Sequence, residues 1–206
     1  MPEFSWDDGL FPARIETDRL VMTRVDADTD PLEFYRAFSR EADPERVFAY
    51  VSPTFVSTPK RSHDLLRSFA EQGREGTAAA YVLRPADGEP DAGRFAGIAS
   101  FRPVWGRKSA EVGVMLGTDF WGRGYSGERA GAFLELAFDH LDLELVEVTT
   151  RVGNENSQRA IERYLDRFGG QRDAVARNDE TDSQGAHDVY RYTVSRVQYR
   201  QEQQEG

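Results

Sequence analysis

Gly122, Gly124 and Gly127 fall within six residues and form the stretch of this sequence best suited to chemistry. They follow a strand-like run from Glu111 to Leu116 and open a helical pattern. A glycine-rich turn between a strand and a helix turns several main-chain N–H groups toward one point, and the helix N-terminus adds partial positive charge there. Glycines reach positive φ and carry no Cβ, so a pyrophosphate can approach the backbone closely. The turn is a candidate phosphate site.

The elements that must position it can be read from spacing. Ala130, Phe133, Leu134, Ala137, Phe138 and Leu141 recur at three- and four-residue intervals, one apolar helical face running to about Leu141. Upstream, residues 1–14 read as an irregular arm and Leu20 to Val25 as a strand. Pro31 opens a helix with Leu32, Tyr35, Ala37 and Phe38 on one face. The connection from Glu41 to Pro59 holds Val47, Phe48, Tyr50, Val51 and Phe55, enough apolar surface to pin it down. A helix over Arg61 to Gln72 follows, burying Leu65, Leu66, Phe69 and Ala70. Ala78 to Arg84 and Arg94 to Arg102 read as an antiparallel pair, and the turn Trp105 to Lys108 leads into the strand at Glu111. Leu143 to Arg151 is a further strand and Glu155 to Asp166 a helix. Gln171 to Asp188, with Asn178 to Gly185 at its tip, reads as an exposed loop. Gln198 to Gly206 reads as a disordered tail.

Trp121, Gly122, Arg123, Gly124, Tyr125 and Ser126 resemble the pyrophosphate turn of the GCN5-related N-acetyltransferase superfamily, Arg/Gln-x-x-Gly-x-Gly/Ala. Two departures are Trp121 in place of Arg or Gln and Ser126 in place of Gly or Ala. The Trp-Gly-x-Gly-Tyr form is similar to the RimJ/RimL branch of ribosomal-protein alanine N-acetyltransferases. Three more stretches resemble that branch in the same order: Ile15 to Met22 its opening strand, Asn154 to Ser157 the start of its late helix, and His187 to Val194 its closing strand. The resemblance spans Ile15 to Val197. It implies one α/β (α+β) domain over residues 15–197, with a mixed, mostly antiparallel sheet flanked by helices.

The resemblance also implies acetyl-CoA as donor and a primary amine as acceptor, reacting directly: a protein N-terminal α-amine as in RimJ/RimL-like enzymes, with a small-molecule amine or a non-catalytic acyl-CoA-binding module as the alternatives. A free α-amino group has a pKa of about 8 and a lysine about 10.4, so the amine must be deprotonated. The thioester must be held, its oxyanion stabilised and the thiolate protonated. Val114, Met115 and Leu116 match the strand that supplies backbone groups to the pantetheine arm, and one N–H there can receive the thioester oxygen. Residues 121–127, including Gly127, match the pyrophosphate turn. Glu111 matches an acidic position that serves as general base; a surface pair with Arg102 or Lys108 is the plain alternative. Ser157 matches a serine that donates to the CoA sulfur, and Asn154 one that orients pantetheine; both residue types also cap helices. The tyrosine that many members carry seven positions after the asparagine is Ile161 here. Tyr164, two turns beyond Ser157 on one face, either approaches the sulfur or packs, and packing is favoured. Phe168, Gly169 and Gly170 come later than the family's Gly-Phe, which adds a turn to this helix.

Gly122 to Gly127 also spells G-x-G-x-x-G, with Glu144 near the position of a ribose-binding acid. The turn lies more than a hundred residues into the chain, after consecutive strands, which argues against a dinucleotide fold. His63, His140 and His187 are too scattered for a metal site. Phe34, Phe38, Tyr50 and Trp105 are candidates for an acceptor pocket, with core packing favoured for the phenylalanines and exposure for Trp105.

Composition narrows the classes. The 206 residues contain no cysteine, which excludes disulfides, thiolate metal sites and an acyl-cysteine intermediate. No segment has the apolar length of a membrane span or the pattern of a signal peptide, so a cytoplasmic protein is expected. The formal charge is −10, from 36 acidic and 26 basic residues, and only Lys60 and Lys108 are lysine. That balance disfavours nonspecific nucleic-acid binding. It suits a protein dissolved in concentrated salt, and a GC-rich genome equally explains the arginine bias. Bound phosphates need a local basic site, for which Arg123, Arg129, Arg151 and Arg159 are the candidates.

Overall fold

Three helices begin by one rule. Asp30, Asp43 and Thr58 each precede a proline, and each side chain accepts an N–H of the first turn: Leu32, Arg46 and Arg61 respectively. The side chain satisfies an orphan donor while proline, which has no N–H, fixes φ for the first helical residue. The helices are α1 (Pro31–Ser39), α2 (Pro44–Val47) and α3 (Pro59–Glu75). Gly76, at φ 69°, ends α3 in the left-handed conformation. These positions come from a computed structural model that describes residues 1–40, 43–51, 56–182 and 185–205. Glu41, Phe55 and Gly206, named above, lie outside the described residues, as do two residues at the tip of the 178–185 stretch.

The chain makes two compact units, one of Met1–Arg102 with Val114–Glu128 and the other of Pro103–Gly113 with Arg129–Gly206. In the first, β1 (Glu3–Ser5), β2 (Arg14–Glu16), β3 (Leu20–Arg24), β4 (Ala79–Pro85) and β5, which starts at Gly97, pair antiparallel in that order. Phe34 and Phe38 of α1, Leu66 of α3 and Val47 of α2 join Val25, Ala80 and Val82 in its core. Phe34 and Phe38 stack edge-to-face at 5.3 Å.

In the second unit, the Ser109–Gly113 part of β6 (Ser109–Leu116) pairs parallel to β7 (Leu145–Arg151), from Ser109↔Leu145 to Glu111↔Glu147. β7 pairs antiparallel with β9 (Gly185–Ser195), and β9 with β8 (Gln171–Asp182). Helix α4 (Tyr125–Glu135) continues through one π turn, Leu136–His140. Helix α5 (Glu155–Phe168) and helix α6 (Arg196–Glu205) complete the unit. The strand order is β1-β2-β3-β4-β5-β6-β7-β9-β8, a mixed and mostly antiparallel sheet whose one described parallel pair is β6 with β7.

Four expectations are corrected. The N-terminal arm is not irregular throughout, because Phe4 of β1 pairs with Ile15 of β2 and Phe11 is fully buried. In α1 the buried positions are Phe34 and Phe38, while Leu32 is 42% exposed; the larger aromatic rings take the core side. Gln171 to Asp188 is a strand pair rather than a loop, held by polar contacts such as Thr193 Oγ1 to Asp173 at 2.7 Å. The tail is helix α6, anchored by Tyr199, whose buried ring lies 5.3 Å from that of Phe138 and 6.2 Å from that of Phe168.

Candidate active site

The first unit carries the glycine turn. Gly122 and Gly124 take φ 76° and 85°, a region open to glycine and strained for other residues. A Cβ on Gly122 would meet nothing within 4 Å, so the backbone faces open space. Gly127 N–H and Glu128 N–H both bond to the Gly124 carbonyl. Among the described residues, the five N–H groups from Gly122 to Ser126 have no backbone acceptor. Consecutive unpaired N–H groups ahead of a helix form a concave donor set for an anion.

The side chains around this turn are committed elsewhere. Arg123 donates to Asp91 at 2.9 Å and to the Pro90 carbonyl at 3.2 Å, and its guanidinium lies over the Phe120 ring. Asp91, bonded to both Arg94 and Arg123, is held below the usual carboxylate pKa range. Tyr125 is buried and donates to Glu89 at 3.0 Å; burial, then the Glu89 carboxylate, pushes its pKa up. Trp121 donates its indole N–H to the Leu116 carbonyl and packs beside Met115 against the unit's core. Val114, Met115 and Leu116 end β6 and are half-buried. Gly97 is required beside them, since a Cβ there would lie 2.2 Å from the Met115 carbonyl oxygen.

Of the four arginines expected to supply a basic patch, three are paired with carboxylates and the fourth is buried. Arg123 is tied to Asp91. In the second unit, Arg151 joins Glu180 and Asp182 at 2.8 Å each, and Arg159 joins Glu155 at 3.2 Å. Arg129 points inward and is 1% exposed, with Nε and Nη1 lacking any hydrogen-bond partner. The cation at the turn is Arg19, which sequence reading missed because it lies 109 positions from Glu128, its carboxylate partner.

The second unit holds the remaining candidates. Glu111 is half-buried on β6, directly across the parallel register from Glu147 on β7, so the two carboxylates share a face. Glu147 is 6% exposed, with Arg191 Nη1 at 3.7 Å. It was not singled out from sequence, where nothing marks a glutamate inside an apolar strand as a neighbour of Glu111. Among the described residues the parallel register stops at Glu111, while β6 and β7 both run on. Asn154 caps α5, accepting from Ser157 N–H at 3.2 Å. Ser157 is half-buried, and its hydroxyl makes no hydrogen bond among the described residues. Tyr164, 5% exposed, sits deep in this helix, beside Leu165, Val148 and Leu134 around a small cavity. Its hydroxyl also lacks a hydrogen-bond partner; burial pushes its pKa up to about 12, against the opposing pull of Arg129. Ile161 is buried too.

His63 lies beside Asp64 at 3.4 Å, and His187 contacts Asp182 at 2.9 Å. No group of three or more His, Cys, Asp or Glu side chains among the described residues is arranged to hold a metal. Among the same residues no helix is long and apolar enough to cross a membrane. Trp105 is 43% exposed, as expected.

A family profile described as "Acetyltransferase (GNAT) domain" matches residues 19–164. No curated protein sequence matches the chain. Solved structures do. A GCN5-related N-acetyltransferase from Brucella melitensis superimposes with a TM-score of 0.76 at 18% identity, covering 93% of this chain and 82% of that one. The microcin C7 self-immunity acetyltransferase MccE, in complex with acetyl-CoA and AMP, gives 0.76 at 18% identity over 92% and 99%. RimL, a ribosomal L7/L12 alpha-N-protein acetyltransferase in complex with coenzyme A, gives 0.71 at 16% identity over 87% and 95%. At these identities the superpositions speak to the fold.

Proposed function

Because this chain belongs to the GNAT acetyltransferase family and is an acetyl-CoA-dependent N-acetyltransferase, we propose that its acceptor is a protein N-terminal α-amine, as in RimJ/RimL-like enzymes. The observation that carries the donor assignment is the run of unpaired N–H groups from Gly122 to Ser126. A pyrophosphate needs such donors, and the open space beside Gly122 fits it. The acetyl-CoA of MccE and the coenzyme A of RimL support the same cofactor here. The Trp-Gly-x-Gly-Tyr turn and the RimL superposition support the N-terminal acceptor.

Acetyl-CoA supplies an activated acetyl thioester. The chain's own residues then divide the work. The N–H groups of residues 122–126 hold the pyrophosphate, and Val114, Met115 and Leu116 receive the pantetheine arm, one N–H donating to the developing oxyanion. Glu111 takes the proton from the acceptor ammonium, and Glu147 beside it adds a second acceptor for the positive amine. Ser157 donates from its unbonded hydroxyl to the departing sulfur, and Asn154 fixes the helix end that carries it. Tyr164, buried among apolar side chains, packs. The acidic excess supports a protein working in concentrated salt and disfavours nonspecific nucleic-acid binding.

The test is calorimetric titration of acetyl-CoA in molar KCl into the wild type and Gly124→Glu, followed by thiol release with N-terminal peptides and with small amines. Binding lost in the variant, with turnover on peptides, supports the proposal. Turnover on small amines alone overturns the acceptor assignment, and absence of binding by the folded wild type overturns the donor site. Ser157→Ala is expected to lower kcat roughly tenfold to a hundredfold at unchanged KM.

A further inference from the structure

The turn is braced from one side by residues that take no part in the chemistry just described. Arg19 lies just before β3; its carbonyl accepts the Ala86 N–H, while its side chain and its own N–H reach the turn and the helix after it. Its main-chain N–H donates to Glu128 Oε1 at 2.7 Å, and its Nε donates to Glu128 Oε2 at 2.8 Å. Nη2 lies 2.7 Å from the same Oε2, and Thr17 Oγ1 donates to Oε1 at 2.5 Å. The remaining arm, Nη1, donates to the Arg123 carbonyl at 2.9 Å. The guanidinium also stands 5.5 Å from the Tyr125 ring centroid. It lies so close to the turn that a Cβ on Gly124 would come within 3.1 Å of Nη2.

The consequence is geometric. Arg123 is the middle residue of the two positive-φ glycines, and its carbonyl is an acceptor that repels an anion wherever it joins the N–H groups on the same side. A carbonyl fixed by Arg19 is turned to the protein instead, while the neighbouring N–H groups stay unpaired. The charge of Arg19 is balanced by Glu128, so the pair offers little net field to a phosphate. Arg123 itself, bound to Asp91 and Pro90, secures the same residue from its side-chain end.

We propose that Arg19, held by Glu128 and Thr17, is a positioning residue that sets the Gly122–Ser126 turn for the pyrophosphate by retaining the Arg123 carbonyl. The inference rests on the donor site proposed above and adds the device that keeps it in register. It predicts an effect confined to ligands that carry the pyrophosphate.

The experiment compares acetyl-CoA with acetyl-pantetheine, which has the same thioester and no pyrophosphate, on wild type, Arg19→Met and Glu128→Gln. In Arg19→Met, KM for acetyl-CoA is expected to rise about tenfold, the worth of one charge-assisted hydrogen bond. Its kcat at saturation and its KM for acetyl-pantetheine should stay within about twofold of wild type. Glu128→Gln, which keeps shape and leaves the guanidinium unbalanced, should raise KM for acetyl-CoA in the same selective way; it decides the matter if Arg19→Met fails to fold. Equal losses with both donors, or no loss with acetyl-CoA, would each overturn the inference. Failure of the wild type to bind acetyl-CoA at all is a separate result that falls on the donor site.

Discussion

The indole of Trp121 donates to the carbonyl oxygen of Leu116 at 2.8 Å, so the first residue of the glycine turn is fastened to the last residue of β6. Arg46 of α2 stands over the same ring, 4.9 Å from its centroid. Trp121 occupies the position where the family commonly has Arg or Gln, and its bond gives that departure a physical role: it joins strand to turn.

Trp121→Phe keeps most of the packing and leaves the Leu116 carbonyl without this donor. Urea unfolding should show a loss of about 1 kcal/mol. Trp121→Gln should lose about 2–3 kcal/mol, because the ring beneath Arg46 and beside Met115 is gone as well. Equal stability of the two variants would contradict this account.

Glu111→Gln removes the proposed base. At neutral pH kcat/KM should fall by about a hundredfold with an N-terminal peptide. The deficit should narrow as pH rises past about 8, where an α-amine deprotonates without help. A deficit that is constant with pH would assign Glu111 to binding.

Arg129→Met replaces a buried cation that has no carboxylate partner among the described residues. Burial already pushes the guanidinium below its usual pKa, a sign of what holding the charge there costs. The variant should be more stable by about 1–3 kcal/mol, raising Tm by about 2–4 °C per kcal/mol. A lower Tm would show that the orphan donors are satisfied in solution.

Tyr164 has a folded-state pKa raised from 10 to about 12 by burial. A raised pKa means the native state holds the proton that the unfolded chain releases, so this contribution is intact below pH 10 and is lost as pH climbs through about 12. Between those values the wild type should lose about 3 kcal/mol more than Tyr164→Phe. Tyr81 and Tyr199, also raised by burial, will keep some alkaline sensitivity in the variant. Identical alkaline slopes would mean that Tyr164 is accessible to solvent.

Most elements were legible because their signals are local. The proline starts of α1 and α3, the apolar run of β4 and the alternation in β5 act over a few residues, whereas α2, a single turn, was read as part of a connection. Gln171 to Asp182 failed that test because it is polar on both faces; its pairing with β9 depends on side chains such as Asp173, which mimic a loop in sequence. The last helix failed it because one buried aromatic, Tyr199, anchors an otherwise polar segment.

The sequence by itself determined the glycine turn, the strand before it and the helix after it, since positive φ, apolar periodicity and capping are properties of neighbouring residues. It also carried the family resemblance that the profile match bears out. Tertiary structure alone decided which charges stand where. Arg123, the arginine in the turn, is bound to Asp91, whereas Arg19 reaches the turn from the residue before β3. Glu147 joins Glu111 only through the parallel register of β6 and β7. Such pairings bring together residues far apart in the chain, and side-chain partners at that separation are set by the packing of whole elements, which no local pattern encodes.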